Sequence, residues 1–317
     1  MPIPKKIQDM LEKQHYALVG KNKHSAVQIC NYTKQSIRGK DFCYKQKFYG
    51  INSHRCCQIA VSVMNCEHKC VFCWRPIEHN LGIKMTKIDS PKEIIQDCIK
   101  AQRKLLAGFG GSKESDKNKL KEAQNPKHFA ISLSGEPTLY KKLPELIKLL
   151  DEKKTTSFIV SNGENPEMIK KINPTQLYIS MIAPNETLFR KISNSCHRDC
   201  WKRYLKTLKL LKKKSGETRT VLRLTLIKGL NMLEPENYAK LIKISEPDFI
   251  EIKAYMHIGF SQNRLKKENM PEHKEVKDFA KKILKYLPNY KKIDEKENSR
   301  VVLLSNGKKE KKIRFEC

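Results

Sequence analysis

The sequence lacks any long hydrophobic run and is poor in acidic residues. No uncharged stretch approaches the roughly 18 apolar residues that span a bilayer, and residues 1–20 lack the apolar core of a signal peptide. We therefore expect a soluble, cytoplasmic protein. Only 34 of the 317 residues are Asp or Glu against 64 Lys or Arg, so the formal charge is +30. Because 39% of the residues are apolar, the chain can still bury a sizeable core, which excludes a disordered polyelectrolyte.

Arginine is scarce as well, since 52 of the basic residues are lysine and 12 are arginine. A basic excess favours a polyanionic partner such as nucleic acid, because Lys and Arg release condensed counterions when they neutralise phosphates. The dominance of lysine also fits a general compositional bias spread over helix faces. A membrane surface is the weaker alternative, because no segment combines a basic face with a large exposed apolar face.

Six short apolar segments alternate with helical patterns from about residue 57 onward. They are nearly continuous in apolar residues, as strands buried on both faces are. The six predicted strands span residues 57–65, 129–134, 157–162, 176–182, 220–227 and 248–256. Amphipathic helical patterns lie between them, and the first begins with a capping box at Ser90. Strands that are each followed by a helix predict a parallel α/β sheet.

The remaining segments set the predicted domain organisation. The polar, glycine-bearing stretch 108–127 is predicted to be a mobile loop between a helix and the next strand. Residues 1–55 show no clear period, and we predict an N-terminal extension there whose main content is cysteine. Residues 56–317 are predicted to form a single compact unit, since no internal repeat or sharp shift in composition divides them.

The chain has eleven cysteines, most of them crowded into one short region. Without a signal peptide, this crowding indicates metal or cluster ligation rather than disulfides. Three cysteines in a Cys-x3-Cys-x2-Cys pattern follow the first predicted strand: Cys66, Cys70 and Cys73. Three thiolates leave one iron of a 4Fe–4S cluster open for a cofactor, whereas a closed structural site uses four ligands. A zinc site that borrows His68 or His54 is the alternative.

Polar residues also follow the C-terminal ends of other predicted strands. They are Ser134, Gly135 and Glu136 after the second strand, Ser161 and Asn162 after the third, and Tyr255 after the sixth. Parallel α/β sheets and barrels build their active sites at this edge, so these residues are candidates for cofactor binding. Such turns also collect Ser, Gly and Asn simply to cap helices.

The Cys-x3-Cys-x2-Cys pattern, the aromatic residue before its third cysteine and the following Gly-Glu turn resemble the radical S-adenosylmethionine superfamily. The resemblance implies a partial parallel (β/α)6-type barrel, with the N-terminal extension closing over its C-terminal mouth. It implies that the open iron chelates S-adenosylmethionine. It assigns Ser134, Gly135 and Glu136 to the methionine amino group, Ser161 and Asn162 to the ribose and methionine region, and Tyr255 to the neighbourhood of the adenine.

Three more cysteines stand upstream at even spacing: Cys30, Cys43 and Cys56. They imply a second cluster with an open iron, so that two 4Fe–4S clusters are expected. Lys45 stands two residues after Cys43. Cys57 adjoins Cys56, and a slip of one residue would make Cys57 the ligand instead.

These cysteines and Lys45, with the stretches AVSVMNCEHKCVFCWRP, SLSGEPTLY, VSNG, LYISMIAPNE and FIEIKAYMHIGFSQNRL, resemble the archaeal 4-demethylwyosine synthases of wybutosine biosynthesis. The similarity runs from about Cys30 to His273. It implies that a 5′-deoxyadenosyl radical takes a hydrogen from the methyl group of N1-methylguanosine beside the anticodon of phenylalanine tRNA. Two carbons of pyruvate then close a third ring, and Lys45 would hold pyruvate as a Schiff base beside the second cluster.

The resemblance also bears on partners. Eukaryotic relatives carry a flavodoxin-like domain ahead of the barrel, whereas 29 residues precede Cys30 here. We therefore expect a separate low-potential protein to supply the electron, and we expect a monomer. Two alternatives stay open: another radical enzyme of RNA, such as a methylthiotransferase, and a non-catalytic cluster or zinc protein that only binds RNA.

Overall fold

The computed structural model describes residues 3–315 and divides into two compact units. The first unit contains residues 3–66, 81–159 and 311–315, and the second contains residues 67–80 and 160–310. Of the predicted extension over residues 1–55, residues 3–55 lie within the first unit, and the first two residues lie outside the described part of the chain. Its separation from residues 56–317 as a domain stays a prediction.

The first unit combines a sheet with helices from both of its longer segments. Its elements are α1 (Lys5–Lys13), β1 (Ala17–Val19), β2 (Ser25–Gln28), α2 (Asn31–Ile37), α3 (Tyr44–Tyr49), β3 (Cys56–Ala60), α4 (Pro91–Leu106), α5 (Lys117–Ala123), β4 (His128–Ile131), α6 (Leu143–Glu152) and the start of β5 (Thr156–Ser161). Strands β1, β2 and β3 are antiparallel neighbours. Strands β3, β4 and β5 run parallel, which confirms strands at the first three predicted positions, although β3 ends at Ala60 and β4 at Ile131 rather than at residues 65 and 134.

Local sequence signals explain where α4 begins. The Ser90 hydroxyl accepts a hydrogen bond from the backbone N–H of Glu93, and the Glu93 carboxylate accepts one from the backbone N–H of Ser90. This is the predicted capping box, and Pro91 occupies the first helical position, where its missing N–H costs nothing. The helix then buries its apolar stripe, including Ile94 and Cys98.

The prediction of a loop over residues 108–127 is wrong, because these residues contain the helix α5. Asp116 caps this helix by accepting hydrogen bonds from two backbone N–H groups of its first turn. The helix is strongly charged and therefore carries no apolar period. Its two apolar residues, Leu120 and Ala123, nevertheless join a buried cluster of the first unit.

The second unit contains the later strands and helices of the chain. Its elements are α7 (Pro166–Lys171), β6 (Gln176–Met181), α8 (Glu186–Ser193), α9 (Cys200–Lys214), β7 (Arg219–Leu226), α10 (Pro235–Ser245), β8 (Phe249–Ala254), α11 (His273–Leu284), β9 (Lys291–Lys296) and β10 (Val301–Ser305). Strands β6, β7 and β8 are parallel, which confirms the last three predicted strands. Strands β10 and β9, which were not predicted, continue this sheet in antiparallel pairing.

The parallel strands form the core of the second unit. Apolar side chains on neighbouring strands, such as Ile179, Leu222 and Ile250, are fully buried, as expected for parallel strands covered on both faces. The predicted α/β class with parallel strands is therefore confirmed. No helix within residues 3–315 is long and apolar enough to cross a membrane.

Candidate active site

Two sets of three cysteines organise the candidate site. We call Cys30, Cys43 and Cys56 the upstream set, and Cys66, Cys70 and Cys73 the loop set. All six thiols are partly buried. They are therefore accessible to a bound group and are shielded from much of the solvent.

Three different elements of the first unit present the upstream set. Cys30 and Cys43 occupy the N-cap positions of α2 and α3, and Cys56 begins β3. Burial, and then the neighbouring Cys30, raise the pKa of Cys56 to about 12; Lys45 opposes this effect and Cys43 adds to it. Electrostatic effects fall with distance. The fold therefore brings the three upstream cysteines and Lys45 together.

Lys45 is a buried lysine, with 8% of its surface exposed. It lies in the first turn of α3, and its Nζ is 4.7 Å from the centroid of the Phe158 ring. An aromatic ring stabilises a nearby ammonium group and excludes water from it. Most lysines of this chain lie on the surface, so the burial of Lys45 beside three thiols distinguishes it from a solvated side chain.

Cys57 lies apart from the upstream set. Its thiol is fully buried, and burial followed by the neighbouring Cys98 of α4 raises its pKa. Successive residues of a strand point to opposite faces of the sheet. Cys56 therefore faces Cys30 and Cys43, whereas Cys57 is directed to the core.

The loop set lies on the segment that follows β3, as predicted. Within the second unit, the backbone N–H groups of Lys69 and Val71 donate to two carbonyl oxygens at the end of α8, over 2.8 and 3.1 Å. The N–H of Cys73 donates to the carbonyl of Cys70 at 3.0 Å, which closes a turn between the two cysteines. Burial, followed by the neighbouring Cys70, raises the pKa of Cys73 to about 12.

A buried histidine and carboxylate brace this segment. His68 Nε2 lies 2.6 Å from Glu164 Oε1, and His68 Nδ1 lies 3.5 Å from Cys70 Sγ. Ser195 donates to the other oxygen of Glu164 at 2.8 Å. Burial lowers the pKa of His68, but the Cys70 sulfur and the Glu164 carboxylate outweigh it and hold the pKa well above its ordinary value.

Arg264 is a further part of the site that the sequence did not reveal. Its guanidinium donates to the carbonyl oxygens of Val71 (3.2 Å) and Cys73 and pairs with the Glu78 carboxylate. One planar guanidinium thereby fixes three points of the loop-set segment. No local sequence pattern predicts this contact, because Arg264 stands 193 residues beyond Val71.

The predicted turn Ser134-Gly135-Glu136 lies against the residues that lead into the loop set. The Glu136 N–H donates to the carbonyl of Asn65 at 2.8 Å, and Ser62 Oγ donates to the carbonyl of Glu136 at 2.7 Å. Gly135 has φ +70°, and a Cβ there would lie 1.9 Å from the Ser62 carbonyl oxygen. Only glycine fits this close approach. The assignment of the turn to the methionine amino group stays a prediction.

The other predicted cofactor contacts lie in the second unit and already have hydrogen-bond partners. Ser161 Oγ accepts from the backbone N–H two residues further on at 3.0 Å. Asn162 Nδ2 donates to Glu67 Oε2 at 3.0 Å, which links it to the loop-set segment. The buried Tyr255 hydroxyl donates to Ser261 Oγ at 2.9 Å. Their assignment to S-adenosylmethionine stays a prediction.

The donors present fit iron–sulfur clusters better than zinc. Within residues 3–315, no three His, Cys, Asp or Glu side chains converge on a position for a single metal ion. The ligands of a single zinc ion lie close to one another around that ion, whereas the ligands of a four-iron cluster bind different irons and lie further apart. The histidines of the zinc alternative already face carboxylates, His54 with Glu122 and His68 with Glu164. Because burial disfavours thiolates at Cys56 and Cys73, bound iron would supply the charge that holds them deprotonated.

Comparison with known proteins first defines the class. The sequence pattern of the radical SAM superfamily matches residues 61–242, and a pattern described as wyosine base formation matches residues 244–306. The chain is thus a radical SAM enzyme. More particularly, it belongs to the S-adenosyl-L-methionine-dependent tRNA 4-demethylwyosine synthases, as its curated relatives show.

Two archaeal relatives carry that name. The protein of Pyrococcus horikoshii is 47% identical over 95% of this chain and 89% of its own length. The protein of Methanocaldococcus jannaschii is 43% identical over 96% of this chain and 97% of its own length. A solved structure of TYW1 with a lysine-pyruvate adduct bound is 39% identical, covers 100% of both chains and has a TM-score of 0.88.

These findings decide several predictions. The predicted family and the radical SAM fold class are confirmed. The use of S-adenosylmethionine and of an iron–sulfur cluster follows from family membership. A methylthiotransferase and a non-catalytic RNA-binding protein are thereby set aside as readings of this chain.

Proposed function

We propose that this enzyme builds the tricyclic base 4-demethylwyosine in phenylalanine tRNA by joining two carbons of pyruvate to N1-methylguanosine beside the anticodon. The names of the archaeal relatives support the tRNA product, and the solved relative with a lysine-pyruvate adduct supports pyruvate. The observation that carries the proposal is the buried amine of Lys45 beside the three thiols of the upstream set.

The loop set would hold the catalytic cluster. A cluster bound there with S-adenosylmethionine would supply the radical chemistry that takes a hydrogen atom from the methyl group of the modified guanosine. Arg264 and the His68–Glu164 pair fix the segment that carries these cysteines. The Gly135 turn, packed against Asn65, would place the methionine end of the cofactor near the first cysteine of the loop set.

Lys45 would activate pyruvate. Its amine attacks the ketone carbon, water leaves, and an imine joins the three-carbon unit to the enzyme. The upstream set would hold a second cluster, whose open iron would supply a Lewis acid for pyruvate. Burial and the Phe158 ring exclude bulk water from the amine and thus favour the imine over its hydrolysis.

The partners follow from this chemistry. tRNA and pyruvate are the substrates, and the formal charge of +30 suits a phosphate backbone. A separate low-potential protein as electron donor, a monomeric state and a cytoplasmic location stay predictions.

Substitution of Lys45 tests the proposal. Lys45→Arg keeps the positive charge but removes the nucleophilic amine, because guanidinium stays protonated. We expect this variant to retain iron and tRNA binding and to lose more than nine-tenths of its product, a tenfold effect corresponding to about 1.4 kcal/mol in the activation free energy. In the parent enzyme, borohydride with pyruvate should add a three-carbon mass to the peptide that carries Lys45.

Lys47 provides a matched control, since it lies on the same helix and is exposed. Lys47→Arg should leave product formation and borohydride labelling unchanged. Product at the parent rate from Lys45→Arg, or labelling of some other lysine alone, would contradict the assigned role of Lys45.

A further inference from the structure

Ser53 contacts the segments that carry the upstream set through all three of its polar groups. It is 1% exposed and opens a short 3-10 segment that ends just before Cys56. Its Oγ accepts from the N–H of Cys43 at 3.0 Å, and its N–H donates to Gln46 Oε1 at 3.0 Å. Its carbonyl oxygen accepts from Thr33 Oγ1 at 3.0 Å.

Each of these hydrogen bonds reaches a different part of the upstream site. Thr33 lies in α2, the helix that Cys30 caps, and Gln46 lies in α3 beside Lys45. Ser53 itself stands three residues before Cys56. One buried serine is therefore hydrogen-bonded to the segments that carry two of the thiols and the amine, and it lies in the segment that leads to the third thiol.

The segment around Ser53 is itself anchored to strand β4. The N–H of Asn52 donates to His128 Nε2 at 3.1 Å, and the N–H of Lys127 donates to the carbonyl of Arg55 at 3.0 Å. His128 Nδ1 in turn lies 2.8 Å from Thr156 Oγ1 of the neighbouring strand β5. The segment around Ser53 therefore connects strand β4 to α2 and α3, the helices that Cys30 and Cys43 cap.

We propose that Ser53 is a positioning residue that sets the spacing of the upstream cysteines and of Lys45 before iron binds. The inference rests on the proposed function, because it takes the upstream set as ligands of a second cluster. Hydrogen-bond partners behind the ligands of a metal site hold those ligands in orientation, and their loss weakens metal binding by about 10- to 100-fold. Ser53 contacts no substrate or iron in this account and acts through the residues that do.

The test measures how fast iron leaves the upstream set. In a chain whose loop-set cysteines are replaced by Ala, only the upstream set retains a cluster after anaerobic reconstitution. Adding Ser53→Ala should accelerate the release of this iron to a chelator by about tenfold or more. Thr33→Val keeps the side-chain shape and removes the hydroxyl that donates a hydrogen bond to Ser53. It should likewise accelerate the release of iron.

Two controls separate positioning from general destabilisation. Ser245→Ala removes an equally buried hydroxyl in α10 and should leave iron release unchanged. In the converse chain, whose upstream cysteines are replaced by Ala, Ser53→Ala should leave iron release from the loop set unchanged. Faster release in either control would overturn the inference, because the effect of Ser53→Ala would then not be specific to the positions of the upstream cysteines.

Failure of the inference is distinguishable from failure of the proposed function. If the chain without the loop set binds no iron at all, the second cluster does not exist and both proposals fall. If that chain binds iron and Ser53→Ala and Thr33→Val release it at the parent rate, only the positioning role of Ser53 falls.

Discussion

At residue scale, Gly135 shows how closely two backbone segments approach at the turn that we assign to the methionine end of the cofactor. A left-handed backbone costs a residue other than glycine about 1–2 kcal/mol, and here a Cβ would also meet the Ser62 carbonyl. We expect Gly135→Ala to lower the free energy of unfolding by more than this backbone cost and to weaken S-adenosylmethionine binding. Urea unfolding and equilibrium dialysis measure the two effects.

Gly307 is the matched control for this substitution. It has φ +77°, and a Cβ there would meet nothing within 4 Å. Gly307→Ala should therefore lower the free energy of unfolding only by the backbone cost and should leave cofactor binding intact. Equal losses from the two variants would show that the contact with Ser62 is not decisive.

His128 should make stability depend on pH. Burial, followed by the positive charge of Arg55, lowers the pKa of His128 to about 3. The unfolded chain takes up this proton below pH 6.5, whereas the folded chain does so only near pH 3. Stability from this group is therefore complete above pH 6.5 and is lost as the pH falls, by about 2 kcal/mol between pH 7 and pH 5.

The measurement is urea unfolding of the parent protein and of His128→Gln at pH 7 and pH 5. The variant removes the titrating group, so its stability should fall less between the two pH values. A parallel fall in both proteins would assign the acid sensitivity to other groups.

At the scale of elements, the two sets of cysteines belong to different segments and should bind iron independently. Replacing the three loop-set cysteines by Ala should remove about half of the iron and abolish cleavage of S-adenosylmethionine. Replacing the upstream set should also remove about half of the iron while sparing some uncoupled cleavage. Iron counting and product analysis after anaerobic reconstitution check both outcomes, and a full iron load in either variant would show that the ligands are misassigned.

The parallel strands were predictable because strands buried on both faces are continuous in apolar residues. Strand β10 carries the same signal, VVLL, whereas β9 is charged, is exposed over its first half and has no such signal. Helix α5 was missed because its charged sequence has no apolar period. Strands β1 and β2 are too short for a pattern to emerge.

The candidate site likewise contains residues that the sequence predicts and residues that it does not. The cysteine sets and Lys45 are recognisable because their spacing is local in the sequence. The residues that hold them in place come from distant segments: Glu164 stands 96 residues beyond His68, and Arg264 stands 193 beyond Val71. No local pattern encodes such pairs, so only the fold reveals them.

At the scale of the whole molecule, the charge and the comparisons point to the same substrate class. Basic residues exceed acidic ones by 30, and exposed ion pairs such as Lys5–Asp9 contribute little stability each. A basic surplus of this size therefore supports attraction for a phosphate backbone more readily than a role in folding. The likeness to archaeal 4-demethylwyosine synthases extends over 95% of the chain.

The most direct test follows the carbon atoms of pyruvate into tRNA. The reconstituted enzyme is incubated anaerobically with a reductant, S-adenosylmethionine, tRNA that contains N1-methylguanosine, and pyruvate labelled with carbon-13. The tRNA is then digested, and the masses of its nucleosides are measured by mass spectrometry. We expect the tricyclic product to carry both labels from pyruvate labelled at its second and third carbons and no label from pyruvate labelled at its carboxyl carbon. Unchanged N1-methylguanosine from an enzyme that still cleaves S-adenosylmethionine, or retention of the carboxyl label, would contradict the account.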